Sequence, residues 1–412
     1  AGWGLTDDRI PIERRNRERS MEQVFAAAYI LYSRYIDPHT GLSASIENVI
    51  DHLALQRHWF NENSGHLHCS GFGIWKLGYA REFLYSPWNT IKFQSPSRII
   101  SDLKNRTPGS DQKIVIWGRR DQQKLLEFAE QEKIPLWRVE DGFIRSAGLG
   151  SDLVAPASLV VDKQGIYFDP TEPSDLEYTL QNTRFSEAEI TRARSLIDAV
   201  LSSALSKYNI GHDETLSHSA RPGQKIILVP GQVEDDASIL FGCSETRTNS
   251  ALLASARASN PDAYIIFKTH PDIIHGNRKG NEEHEIRENC DLLITHTSII
   301  KCLEVVDEVH TMTSLVGFEA LLRGLKVTTY GLPVYAGWGL TTDMVTTTRR
   351  SRSLCLEELV AGALIRYPRY MNPYSRSFDT PEHVIHILEK MASAQNNNSA
   401  RQGWVMRRLF KL

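Results

Sequence analysis

The hexapeptide AGWGLT occurs at residues 1–6 and again at residues 336–341. A tryptophan-bearing string that returns at a fixed offset marks a chain built from homologous modules, and this limits what the rest can fold into. The correspondence continues without a gap: Arg14, Arg15, Arg17 and Glu22 fall on Arg349, Arg350, Arg352 and Glu357. Tyr32, Arg34, Tyr35 and Pro38 fall on Tyr367, Arg369, Tyr370 and Pro373, and Glu47, Val49, Ile50 and Leu53 fall on Glu382, Val384, Ile385 and Leu388. At offset 335, 22 of 53 positions are identical, where chance would give about three. Shared helical periodicity repeats apolar positions but does not bring Trp, Pro and Arg into register. A module therefore ends with AGWGLT, an arginine cluster and two helices, and one such ending stands at each end of the chain. Residues 1–55 are expected to be the helical remnant of a preceding module, and the chain a piece of a parent about 335 residues longer.

Residues 56–395 then form one complete module. KIVIW at 113–117 reads as a strand entering a Gly-Arg-Arg loop, 121–131 as an amphipathic helix and 135–139 as the next strand. Strand, helix and strand at this spacing imply βαβ units and a parallel sheet. Residues 158–168 alternate around Lys163-Gln164-Gly165 and read as a hairpin, 172–208 as helix, and the polar stretch 211–224 as a linker. A second βαβ series has strands at 225–229, 263–268, 307–312 and 326–330. The expected fold is α/β of GT-B type: an N-terminal Rossmann-like acceptor-side domain (56–212), a C-terminal Rossmann-like nucleotide domain (222–350), a helical return (351–395) and a basic amphipathic tail (396–412).

In such folds ligands bind beyond the carboxyl ends of the strands. Four of those ends carry unusual polar groups: Glu140-Asp141-Gly142, then Gln232 with Glu234-Asp235-Asp236, then Lys268 with His270-Pro271, then Thr313-Ser314 before a helix holding Gly317 and Glu319. Each has an ordinary reading as a cap, a turn or a solvated loop; four at successive strand ends point to a site. A net charge of −3 and scattered cysteines support neither a nucleic-acid partner nor a zinc site. No spaced acid completes a metal-binding DxD pattern, so no metal is expected.

This motif order resembles that of bacterial sialyltransferases, and VEDGFIRS, VPGQVEDDASI, FKTHPD, TSLVGFEAL and GLPVYAGWGLT resemble more closely the KpsC-type capsular β-Kdo transferases, which carry two modules in tandem. The resemblance implies a retaining transfer of Kdo from CMP-β-Kdo, with no further cofactor, to a lipid-linked oligo-Kdo acceptor of phosphatidylglycerol type. A β-2,7 linkage is implied for the second module. The implied roles are Asp236 as nucleophile, with Asp235 and Glu234 as adjacent alternatives; Glu140 as general base beside Asp141; and His270 as donor to the leaving phosphate. Ser314, Thr313, Gly317, Glu319, Lys268 and Pro271 would hold CMP, and Arg119, Arg120, Arg145 and Gln232 would face Kdo or acceptor. A non-catalytic glycolipid-binding module and a sialyltransferase-like enzyme are the competing readings. WVMRRLFKL at 404–412 reads either as a membrane-surface amphipath, giving a cytoplasmic protein peripheral to the inner membrane, or as a docked terminal helix.

Overall fold

The computed structural model describes residues 18–105, 111–119, 122–145, 155–203, 216–270 and 283–397. The first AGWGLT copy with Arg14, Arg15 and Arg17, residues 211–215 of the expected linker, Arg120, Pro271 and the tail from residue 398 lie outside the described residues. The chain divides into two compact units, residues 1–58 and 59–412.

The first unit contains a helix (Met21–Phe25) continued by a π-type helix (Ala26–Tyr32), strands β1 (Tyr35–Ile36) and β2 (Ser43–Ala44), and most of a helix spanning Ile46–Glu62. The second unit ends on the same series: Leu356–Val360, π-type Ala361–Arg366, β14 (Pro368–Met371), β15 (Phe378–Asp379) and Pro381–Asn397. At offset 335 the two copies agree bond by bond. Tyr35 pairs with Ala44 as Tyr370 pairs with Asp379, and the Asp37 carboxylate closes its turn as the Asn372 amide oxygen does. The positive φ of Gly41 returns at Arg376. The expected two helices thus become helix, hairpin, helix in both places. Pro38 and Pro373, matched in the repeat, both lie in the turns.

The second unit holds two sheets. In the first, β3 (Gly65–Ser70), β4 (Asn89–Phe93), β5 (Gln112–Trp117), β6 (Leu136–Asp141), β7 (Ser158–Asp162), β14 and β15 run in the order β4-β3-β5-β6-β7-β14-β15, parallel from β4 to β6 and antiparallel beyond. The second is parallel throughout, with β8 (Ile226–Pro230), β9 (Tyr264–Lys268), β10 (Leu292–Ile294), β11 (Glu308–Thr311), β12 (Lys326–Thr329) and β13 (Thr342–Asp343) ordered β10-β9-β8-β11-β12-β13. Apolar runs such as IILVP are buried at every residue because both faces of a parallel sheet are covered. Both sheets are of the Rossmann-like kind, and together they give the GT-B architecture. The C-terminal return differs from expectation: besides helices it contributes β14 and β15, which extend the first sheet through β7. No hairpin forms at 158–168, because Asp162 Oδ1 accepts from the Gln164 and Gly165 amides and β7 pairs with β6 and β14 instead. The helical stretch at 172–208 is two helices, Asp175–Asn182 and Glu187–Ser202, the second opened by a Ser186–Glu189 capping box.

One core runs between the sheets, from Val160, Leu176 and Leu196 through Leu228 and Phe318 to Trp338, Tyr367 and Val384. Trp338 of the second AGWGLT copy is buried in it with Leu340 packed against it, and the arginine cluster behind ties the halves together. Arg349 and Arg350 both pair with Glu177, Arg350 Nη1 donates to the Pro333 and Ala336 carbonyls, and Arg352 donates to the Leu180 and Thr183 carbonyls. The repeated motif is therefore a structural clasp. Among the described residues no helix is long and apolar enough to cross a membrane.

At the amino edge of the second sheet, Glu308 accepts from His310 Nε2 at 3.0 Å, Lys225 Nζ at 2.5 Å and Thr328 Oγ1 at 2.8 Å. The hydrogen bond from His310, assisted by those from Lys225 and Thr328 and opposed by burial, holds this carboxyl well below the usual carboxylate range. A depressed folded pKa gives stability that is present above the unfolded value of about 4.3 and is lost as pH falls toward the folded one. Glu308→Gln is therefore expected to be less stable than the parent at pH 7, with the gap narrowing below about pH 4. Urea unfolding across pH checks this, and a gap that stays constant with pH would refute it.

Candidate active site

The order of the second sheet reverses between β8 and β11, so the crevice for a ligand opens beyond those two carboxyl ends. The expected residues stand there. After β8, Gln232 is buried and turns its amide across the crevice: Oε1 accepts from Thr311 Oγ1, Thr313 N and Ser314 N at 3.2, 3.0 and 3.1 Å. Its Nε2 donates to Thr313 Oγ1, Thr313 Oγ1 to Ser238 Oγ, and Ser238 Oγ to Asp236 Oδ1, at 3.0, 3.1 and 2.7 Å. One relay thus joins the QVEDDAS and Thr-Ser motifs. Two expectations change. Gln232, expected to face Kdo or acceptor, bonds to the β11 end, and it occupies the amides of Thr313 and Ser314, two residues expected to hold CMP. Ser314 caps the helix Leu315–Leu322 by accepting from Val316 N, and its hydroxyl proton can still be donated.

Within the acidic triplet the roles separate. Glu234 Oε1 accepts from Asn249 N at 2.6 Å and so serves the start of the helix Asn249–Ser259. Asp235 and Asp236 are exposed. Asp236 is the N-cap of the helix Ala237–Gly242, accepting from Ser238 N at 2.9 Å. The ordinary reading of this residue therefore holds, and the cap also fixes its carboxylate at the switch point.

Gly317 and Glu319 lie in the helix behind Ser314 and both are buried. A side chain at Gly317 would put its Cβ 2.2 Å from Tyr335 Oη, whose hydroxyl donates to the Ser314 carbonyl. Gly317 thus admits Tyr335, and this tyrosine, the residue before AGWGLT, locks the Thr-Ser turn from behind. At the end of β9, Lys268 is buried, its Nζ donating to the Thr295 carbonyl at 3.3 Å, and burial lowers its pKa. Expected at the phosphate, it is directed to the β10 end. His270 follows on the same edge, half-buried, where Gly231 packs against the Lys268 carbonyl and the His270 amide.

From the first sheet, Glu140 and Asp141 are the last two residues of β6 rather than part of the loop after it. Glu140 Oε1 accepts from Asp141 N at 3.0 Å, and Glu140 Oε2 lies 3.2 Å from where a Cβ on Gly118 would stand. With φ at +60°, Gly118 suits the turn that lets β5 pass beneath this carboxylate. Phe143, two residues on from Asp141, packs against Phe318 with centroids 6.1 Å apart, so the Glu-Asp-Gly turn meets the helix that follows Thr313-Ser314. Of the three arginines expected to face Kdo or acceptor, the two among the described residues are paired with carboxylates of this chain. Arg145 is 3% exposed and pairs with Asp141 at 2.8 Å. Arg119 pairs with Asp169 and Glu172 at 2.8 and 2.9 Å and stacks over Phe241 at 4.8 Å, bridging the halves beside the site. Both are drawn inward because a guanidinium near a buried carboxylate is held more strongly than one in water.

Residues 112–370 match the family described as capsule polysaccharide biosynthesis protein. The chain is 44% identical over 420 residues to the capsule polysaccharide modification protein LipA of Neisseria meningitidis serogroup B, spanning all of this chain and 59% of that protein. It is 43% identical over 280 residues to the lipopolysaccharide-processing protein LpsZ of Rhizobium meliloti, covering 67% of this chain and 64% of that one. Among solved structures it resembles the β-Kdo 2,7 transferase of Thermosulfurimonas dismutans KpsC with 35% identity and a TM-score of 0.65, over 79% of this chain and 99% of that one. The β-Kdo 2,4 transferase of the same protein matches with 28% identity and a TM-score of 0.66, over 80% and 99%.

Proposed function

Because the chain belongs to the capsule polysaccharide biosynthesis family and is a module of the KpsC type, we propose that it transfers Kdo from CMP-β-Kdo to a Kdo-terminated, lipid-linked acceptor with retention of configuration. The observation that carries this reading is the relay Gln232–Thr313–Ser238–Asp236 at the switch point of the second sheet, with the Glu140–Asp141 turn brought to it by the Phe143–Phe318 contact.

Retention is most simply achieved by two displacements. In the first, the Asp236 carboxylate attacks the anomeric carbon, and the bond to the phosphate oxygen breaks with its electron pair leaving on CMP. His270 stabilises that oxygen by hydrogen bonding, and the Ser314 hydroxyl donates to the phosphate at the positive end of its helix. In the second, Glu140 takes the proton of the acceptor hydroxyl as its oxygen attacks the same carbon and releases Asp236. Higher identity to the 2,7 than to the 2,4 transferase, at similar structural similarity, supports a 2,7 linkage.

The first unit supports a tandem reading. Tyr29, Tyr32, Ile36 and Leu53 are 53%, 85%, 63% and 59% exposed, while their equivalents Leu364, Tyr367, Met371 and Leu388 are at most 7% exposed. These positions in the first copy would be covered by a preceding homologous body in the same polypeptide.

The test is product analysis: the chain is incubated with CMP-β-Kdo and a synthetic acceptor ending in one β-Kdo, and the product is examined by NMR. A new β-Kdo on O-7 is expected. An α product would overturn retention, and transfer from CMP-sialic acid in preference to CMP-Kdo would overturn the donor.

A further inference from the structure

The loop at residues 331–338 supplies no member of the relay, yet it touches the elements at both ends of it. Leu332 N donates at 2.8 Å to the carbonyl of Gly242, the last residue of the helix that Asp236 caps. A Cβ on Gly331 would stand 2.7 Å from Cys243 Sγ and 2.9 Å from Thr313 Cγ2, so the loop lies directly against Thr313 as well. Tyr335, 1% exposed, then reaches over Gly317 and donates its hydroxyl to the Ser314 carbonyl.

The loop is itself fixed from several sides. Arg350 Nη1 donates to the Pro333 and Ala336 carbonyls at 2.6 and 2.8 Å, and Trp338 Nε1 to the Val334 carbonyl at 2.8 Å. Asp343 Oδ2 accepts from Gly337 N at 2.8 Å, and Glu177 holds Arg350. A side chain carried by such a support is presented at a defined place. The Tyr335 hydroxyl is not needed to satisfy the carbonyl it meets, because Ser314 O also accepts from Gly317 N at 3.1 Å. A phenylalanine would fill the same space over Gly317. What the hydroxyl adds is direction. Ser314 stands before its helix in extended conformation, with φ at −62° and ψ at 141°, and its carbonyl and side chain turn together on one Cα. Holding the carbonyl therefore sets where Oγ points. Burial, with Asp343 and Cys243 adding to it, keeps the Tyr335 phenol well above its ordinary range, so the proton it donates stays in place.

We infer that Tyr335 is a positioning residue for the donor: it aims the Ser314 hydroxyl at the donor's phosphate, from a loop that also braces the Asp236 helix, so one element places phosphate and nucleophile together. The inference rests on the reading of Ser314 as a phosphate-binding residue, and a double-mutant cycle separates the two. The whole chain is titrated calorimetrically with CMP, which needs no turnover. Ser314→Ala should weaken CMP about tenfold and Tyr335→Phe about fivefold, whereas Tyr335→Phe added to Ser314→Ala should weaken it no further, since no hydroxyl is left to aim. A variant that is merely less well folded would bind fewer equivalents of CMP with the dissociation constant unchanged. Transfer from CMP-β-Kdo at subsaturating donor should fall about tenfold in Tyr335→Phe. Unchanged CMP affinity or undiminished transfer in Tyr335→Phe, or the same fivefold loss on both backgrounds, overturns the inference while Ser314 keeps its role. Unchanged CMP affinity in Ser314→Ala removes the phosphate reading and the inference with it. If the cycle holds while the parent transfers no Kdo, the positioning role stands and the proposed activity falls.

Discussion

Replacing Asp236 with asparagine is expected to lower Kdo transfer at least about a thousandfold while changing stability by less than about 0.5 kcal/mol. Asparagine is the right substitution because Asp236 is a helix N-cap. Asn caps as well as Asp, so the Ser238 contacts are kept, whereas Asp236→Ala would also lose about 1 kcal/mol of capping. What Asn cannot supply is the anionic oxygen that forms a glycosyl ester. Rates with CMP-β-Kdo and urea unfolding, measured on the same preparations, separate the two effects. With donor and no acceptor, the parent should also carry a Kdo adduct on the peptide containing Asp236, and the variant should not. Undiminished transfer by Asp236→Asn would remove this residue from the chemistry and direct attention to Asp235.

The second large effect is on stability. Glu177→Ala is expected to cost about 3–5 kcal/mol, because removing one partner of a buried ion pair leaves the other charge uncompensated. Glu177 accepts from Arg349 Nε at 2.6 Å and Arg350 Nε at 2.9 Å, and the Glu177 and Arg350 side chains are 6% and 2% exposed. Replacing both members, Glu177→Leu with Arg350→Met, should recover much of the loss, since an apolar pair of similar volume is often as stable as a buried ion pair. Urea unfolding decides: a cost below about 1 kcal/mol for Glu177→Ala would mean that the clasp contributes little to holding the halves together.

Which parts of the fold were legible follows from how each strand signals itself. IILVP in β8 and YIIFK in β9 are near-continuous apolar runs, buried on both faces, and they stand where expected. GHLHCS in β3 gives no such signal, because two histidines and a serine interrupt it. His68 is buried all the same, bonded through Nε2 to Gln112 Oε1 on β5. PRYM in β14 was hidden for another reason: its partner β7 lies about 200 residues earlier, and no local pattern records such a pairing. Within the site, sequence spacing found the strand ends but not their directions.

By itself the sequence determined the modular organisation, the two Rossmann-like halves and the strand ends where chemistry gathers. The signals for these are local: an in-register repeat, apolar runs of strand length, and polar residues directly after them. The tertiary structure alone decided what each polar group faces. It turned Arg119 and Arg145 onto carboxylates, set Gln232 across the crevice onto the amides of Thr313 and Ser314, and placed Tyr335, the residue before AGWGLT, behind the Ser314 turn. Contacts such as Gln232 to Thr313 and Glu177 to Arg350 join residues 81 and 173 positions apart. The order of strands in the sheets brings them together, and that order is fixed only when the whole core is buried.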